Sequence, residues 1–140
     1  MKKYIQAFLF IVTILFSGNV LANEINRIKV GNEDAKITII AYESLTCSHC
    51  ANFHKNVYPQ LKKDFIDTGL AKIEFRHYPL DIIAFNASKI AQCKNDGDSK
   101  VLEMLFDNKQ KWVKGNNANE AKANLKKFIK KKDINIDLKK

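Results

Sequence analysis

Cys47 and Cys50, in the stretch YESLTCSHCANFH (residues 42–54), stand three apart with Ser48 and His49 between them. That spacing serves three chemistries: a redox-active dithiol, half of a tetrahedral metal site, or a local covalent staple. The elements on either side bear on the choice. KITIIAYES (residues 36–44) is β-branched and apolar, the composition of a strand, and from Ser48 onward the apolar residues recur at helical steps.

A cysteine pair at a strand-to-helix junction has a definite physical logic. Cys47 falls at the helix N-terminus, where unpaired backbone N–H groups and the helix dipole favour an anion, so its thiol is placed to ionise below the ~8.5 of a free cysteine. His49 can add positive charge or a donor to that thiolate. Cys50 lies one turn later, in line with Phe53 and Val57 on the apolar face, and reads as the less exposed, resolving thiol. Three residues along a helical turn bring two such side chains within disulfide range. A stabilised thiolate also favours the reduced form, which makes the disulfide the better oxidant.

The other two chemistries have less to work with. A structural zinc site needs four ligands, commonly from two C-x-x-C halves, and only one half is present. Cys93 with His49, His54 or His77 would have to complete it, at spacings that fit no familiar frame. A metal-binding module using Cys47, Cys50 and a histidine is therefore the alternative reading. A staple closing so short a loop constrains the unfolded chain little. His54 is expected on the surface of the helix and His77 in a strand, neither with a chemical role.

The elements that must position the pair follow from periodicity and turn chemistry. Residues 23–35 are polar, with VGNEDA as a turn. A buried strand is expected over 36–43. A helix follows over 48–66, burying Cys50, Phe53, Val57, Leu61 and Phe65, kinked at Pro59 and stopped at Gly69. A second strand covers 71–78. Strand–helix–strand in this order is a βαβ unit with a parallel pair. Three more helices are expected, at about 81–95 with Asp81 as its cap, 99–113 and 118–132. The fold class is α/β, a βαβ unit followed by a helical subdomain.

The ends and the charge bound the setting. Lys2 and Lys3, the uncharged run IQAFLFIVTILF and the closing Val20-Leu21-Ala22 have the layout of a secretory signal peptide over residues 1–22. The apolar run is shorter than the ~20 residues of a membrane-spanning helix, so the expected product is a single soluble domain, residues 23–140, in an oxidising periplasm. It is not expected to stay inserted in the membrane after cleavage. The chain has 24 Lys and Arg against 15 Asp and Glu, a net charge of +9. Its lysines are scattered and accompany no nucleic-acid motif, so they read as a solvated surface rather than a nucleic-acid interface.

Taken together, YESLTCSHCANFH, VYPQLKKDFIDTG, RHYPLD and AQC resemble the DsbA-like periplasmic thiol–disulfide oxidoreductases, over about residues 30–112. The resemblance implies a thioredoxin fold with an inserted helical subdomain. It implies Cys47 as the exposed nucleophile, Cys50 as its buried partner and His49 as the thiolate-stabilising residue between them. Implied partners are exported cysteine-containing proteins and a membrane thiol-redox protein that recharges the pair, with no cofactor. Family members commonly carry proline where Ser48 stands, so the redox poise should differ. Cys93 corresponds to the first of a structural pair in some relatives and is expected here as a buried apolar thiol. The family's two later strands, final helix and cis-proline loop have no counterpart in this sequence, whose prolines, Pro59 and Pro79, match other places. The resemblance thus implies a chain corresponding to the first two-thirds of a family member, with impaired activity as the expectation.

Overall fold

The computed structural model describes residues 24–132; the leader read over residues 1–22 lies outside that range. Three strands form one sheet: β1 (Ile28–Val30), β2 (Ile37–Glu43) and β3 (Ala71–His77), in the order β1-β3-β2. β2 and β3 run parallel, in register from Ile37 opposite Ala71 to Glu43 opposite His77. β1 pairs antiparallel with the other edge of β3, Ile28 opposite Phe75 and Val30 opposite Ile73. The polar reading of residues 23–35 misses β1, because three residues are too few to show a period. Burial of Ile28, 1% exposed, anchors it.

Among the described residues β2 is an edge strand with one covered face, which corrects the expectation of a buried strand. Ile39 and Ala41 pack toward the core, while Ile40 and Tyr42, on the opposite face, are exposed. Alternate residues of a strand point to opposite faces, and among the described residues helices cover only one. The outer face is polar instead. Glu74 accepts from Arg27 at 3.0 Å and from Arg76 at 2.6 Å, and Arg76 also donates to the Tyr42 hydroxyl at 2.8 Å. Partial burial works to raise the Glu74 pKa, but the two guanidinium groups hold it below the ordinary carboxylate range.

The helix over residues 48–66, α1, is built from four segments. Ser48–Asn52 and Tyr58–Leu61 are α-helical, while Phe53–Val57 and Lys62–Ile66 are π-helical. In a π turn the N–H bonds back five residues, as in Asp67 N–H to Lys62 C=O at 2.8 Å. Each wide turn carries nearly one residue more than an α turn, so the inward face advances in steps of four. His54, Tyr58 and Ile66 are buried, whereas Val57 and Phe65, predicted inward from a 3.6-residue period, are exposed. Pro59, which has no N–H to donate, sits between the two π segments.

After β3 the chain is helical: α2 (Ile82–Gln92), α3 (Lys100–Asp107), α4 (Lys109–Trp112) and α5 (Ala118–Lys131). Asp81 caps α2, accepting from the Ala84 N–H at 2.7 Å and from the Thr46 hydroxyl at 2.6 Å. The single helix predicted over 99–113 is broken at Asn108, where the backbone leaves helical geometry. The break turns Trp112 inward, fully buried, with its indole N–H donating to the Leu105 carbonyl at 2.8 Å. Asn117 caps α5 through the N–H groups of Asn119 and Glu120. Leu102, Leu105, Leu125 and Ile129 from these helices join Ile73 and Phe75 of the sheet in one apolar core. Among the described residues no helix is long and apolar enough to cross a membrane.

Candidate redox site

The site begins where β2 ends. Ser44 and Leu45 are buried, fixing the connection, and the Cys47 N–H donates to the Ser44 carbonyl at 3.0 Å. Cys47 is the N-cap of α1, with extended backbone, and its carbonyl accepts the first helical bond from the Ala51 N–H at 3.2 Å. A residue in that position faces the free N–H groups of the first turn. Its thiol therefore sits where the chain concentrates donors.

Both cysteines are free and partly buried, and their ionisation is pushed in opposite directions. The backbone N–H of Cys50 holds the Cys47 thiol below the ordinary range, with further help from the Cys50 thiol, the His49 backbone N–H and the charge of Lys109. Burial raises the Cys50 thiol, and the neighbouring Cys47 and Glu43 raise it further. The pair is thus polarised into a ready thiolate and a reluctant one, the division that stepwise dithiol exchange needs.

His49 is exposed, and its contact with the thiolate is through its backbone N–H. The charge of Lys109, at the start of α4, makes the smallest of the contributions to Cys47, one that sequence spacing does not show. Thr46, Cys47 and Ser48 also form one wall of an open groove of about 650 Å³, whose other parts come from residues 80–83 and from the α4–α5 connection.

The largest departure from the sequence reading is His54. Instead of lying on the surface it is buried, its Nε2 2.8 Å from a carboxylate oxygen of Glu43, with both side chains about 4% exposed. Its ring stacks on Phe106 of α3 at 4.0 Å between centroids and lies near Phe75 and Tyr58. The four-residue step of α1 brings it inward, and Glu43, the last residue of β2, meets it from the sheet. The other Glu43 oxygen is buried without a hydrogen-bond partner among the described residues. His77 is the β3 residue expected, with its Nε2 buried and without a partner among the described residues and its pKa lowered by burial.

Cys93 is exposed rather than buried. It follows the last residue of α2, where the chain turns away through Asn95 at φ 51°, so it leaves the inward face that Ile90 and Ala91 occupy. Cys93 and the three histidines therefore do not assemble around Cys47 and Cys50. Among the described residues no group of three or more His, Cys, Asp or Glu side chains is arranged to hold a metal ion, so the metal-module alternative has no support.

Compared with known proteins, residues 23–140 match the family described as thioredoxin. The chain belongs to the thioredoxin family. It is 34% identical over 97 residues to a Rickettsia bellii protein named "Putative protein-disulfide oxidoreductase", a match covering 68% of this chain and 38% of that one. It is 29% identical over 93 residues to disulfide bond formation protein D of Bacillus subtilis, covering 60% of this chain and 42% of that one. Among solved structures, Wolbachia pipientis alpha-DsbA1 superposes with a TM-score of 0.64 at 31% identity, over 80% of this chain and 56% of that one. These matches support a DsbA-like member of the thioredoxin family, as the motif implied. The chain spans well under two thirds of the length of these relatives.

Proposed function

We propose that this thioredoxin-family chain is an exported thiol–disulfide oxidoreductase acting on cysteines of other exported proteins. The observation that carries the reading is the placement of Cys47 as the N-cap of α1, facing the free N–H groups of its first turn, with Cys50 partly buried one turn on; these surroundings lower the Cys47 thiol and raise the Cys50 thiol. The leader-like layout of residues 1–22 supports export, and a membrane thiol-redox protein would return the pair to its disulfide form.

In the oxidising direction, a substrate thiolate attacks the Cys47 sulfur of the Cys47–Cys50 disulfide. A bond forms between substrate and Cys47, and Cys50 departs with the electron pair of the old S–S bond and takes up a proton from water. A second substrate thiolate then attacks the substrate sulfur of the mixed disulfide and expels Cys47 as a thiolate. The substrate loses two electrons and the chain gains them. The low Cys47 pKa makes it the better leaving group in the second step, which favours oxidation of substrate. His49 serves through its backbone N–H as a donor to the leaving thiolate, and its exposed ring contributes at most a charge near it.

Refolding of a reduced, disulfide-dependent substrate by the purified, oxidised protein tests this directly. The wild type should accelerate recovery of native substrate, and Cys47→Ser should reduce it to the uncatalysed rate. Equal recovery with the two would overturn the reading.

A further inference from the structure

The positive charge of the chain is unevenly spread. Between Lys109 and Lys132 nine lysines stand against one acidic residue, Glu120. Five of them, Lys122, Lys126, Lys127, Lys130 and Lys131, belong to α5 and are exposed. At about 100° per residue they fall on one half of the helix. The other half buries Ala121, Leu125, Phe128 and Ile129 in the core. The outward half is completed by Asn119 and Ala123 alone.

Cations in a last turn answer the negative end of a helix, which accounts for Lys130 and Lys131. Lys122 and Lys126 stand too early in α5 for that. Neighbouring acids do not hold them either. Among the described residues none of the five takes part in an ion pair. Both Glu120 carboxylate oxygens are taken, one by the Asn116 N–H and one by the Asn117 amide. Lysines four apart, as in Lys122–Lys126–Lys130 and Lys127–Lys131, repel each other and weaken a helix. An extended anion lying along α5 relieves that repulsion.

The make-up of this face selects the anion. It has no arginine, whose rigid fork suits one fixed carboxylate or phosphate; lysines on flexible stems suit a surface of many mobile anions. It has no aromatic ring to stack a base, and no apolar side chain beyond Ala123 to seat a protein partner. The apolar half of α5 is already committed to the core, so the helix has nothing to insert into hydrocarbon. The row from Lys122 to Lys130 runs about 12 Å, close to the ~10 Å screening length of about 0.1 M salt, so its charges act together.

We propose that the outward half of α5 docks the chain on the headgroups of an anionic phospholipid bilayer, reversibly and by charge alone. The leader-like layout of residues 1–22 would deliver the chain to such a surface. Docking does not depend on the dithiol. The start of α5 adjoins the groove beside Cys47, so a docked chain also holds its redox site close to the bilayer.

Cosedimentation of the purified protein with vesicles tests this, using phosphatidylcholine alone and phosphatidylcholine with about one third phosphatidylglycerol. The wild type should pellet with the anionic vesicles and be released at about 1 M salt, where screening shortens to about 3 Å. Attachment through the apolar residues 1–22 would resist salt, so the salt-released fraction is the quantity compared. Each lysine near such a surface is worth about fivefold in affinity, so Lys122→Gln/Lys126→Gln/Lys130→Gln should weaken binding about a hundredfold. Lys36→Gln/Lys55→Gln/Lys63→Gln removes the same charge from exposed positions elsewhere and should weaken it by under about tenfold. With repulsion removed, the urea midpoint of the α5 variant should be at or above that of the wild type, which separates lost docking from lost folding.

Equal salt-released fractions on the two lipids, or equal losses in the two triple variants, would overturn the proposal. So would capture of a glutamate-rich peptide by the lysines of α5 without binding to anionic vesicles, which would assign the face to an acidic protein segment.

Discussion

At the scale of single residues, Cys47 and Cys50 share a motif and differ in surroundings. Alkylation by iodoacetamide should therefore separate them in the reduced protein. Cys47 should react at pH 7 ahead of a free thiol's thiolate fraction, and Cys50 only as the pH climbs above the ordinary thiol range. Peptide mapping after brief labelling checks both. Because the Glu43 charge helps hold Cys50 up, Glu43→Gln should move Cys50 labelling to lower pH. The Glu43–His54 contact also has a stability signature. Removing the imidazole in His54→Ala leaves a buried carboxylate alone and opens a gap beside Phe106, at a cost of about 3–5 kcal/mol in denaturant unfolding. The paired change Glu43→Leu/His54→Leu should cost less than that single one, since no charge is stranded. Sequence reading placed His54 on the surface because nothing in a linear pattern shows that a glutamate eleven residues earlier will meet it.

Among the elements, α1 is where local rules and outcome part. Gly69 stops it as expected, at φ 78°, and Asp81 caps the next helix as expected. Its inward face was misphased, because a 3.6-residue period assumes α geometry and two of its four segments are π-helical. Those wide turns are selected by packing, as they let His54, Tyr58 and Ile66 all reach the core. Gly31 shows a second dependence on neighbouring elements. It has φ +113°, and a Cβ there would lie 2.9 Å from Ile66 Cγ2 and 3.0 Å from the Ala71 carbonyl. Gly31→Ala should therefore destabilise by about 2 kcal/mol or more, read as a lower urea midpoint, since both the backbone conformation and backbone crowding oppose it. Asp81→Ala should cost about 1 kcal/mol through loss of the α2 cap, and it also frees the Thr46 hydroxyl beside Cys47.

For the whole molecule, stability should fall in two stages as the pH is lowered. His77 is held below its ordinary range by burial, so the unfolded chain binds that proton more readily than the folded one. Stability is full above the unfolded value of about 6.5 and declines below it, until the folded His77 also takes its proton. A second decline follows below about pH 4, as Glu74, Asp81 and Asp98, all held below the ordinary carboxylate range, are protonated and lose their partners. Urea midpoints measured from pH 8 to pH 3 would show both stages, and His77→Gln should remove the first.

Neighbouring residues alone point to the redox chemistry and to the order of the main elements, β1 and the break at Asn108 excepted. A C-x-x-C pair at a strand-to-helix junction is a local signal, because a helix N-terminus supplies its donors within the next few residues. The same holds for the glycine stop, the aspartate cap and the βαβ order, each written in neighbouring residues. Packing alone sets which side of α1 faces inward, that Glu43 and His54 share a buried contact, that β2 leaves Ile40 and Tyr42 in solvent and that Cys93 is exposed. It also brings the charge of Lys109 to bear on Cys47 and opens a groove beside the reactive thiol. Each of these depends on groups brought together by packing across long stretches of chain, a relation that composition and periodicity do not encode.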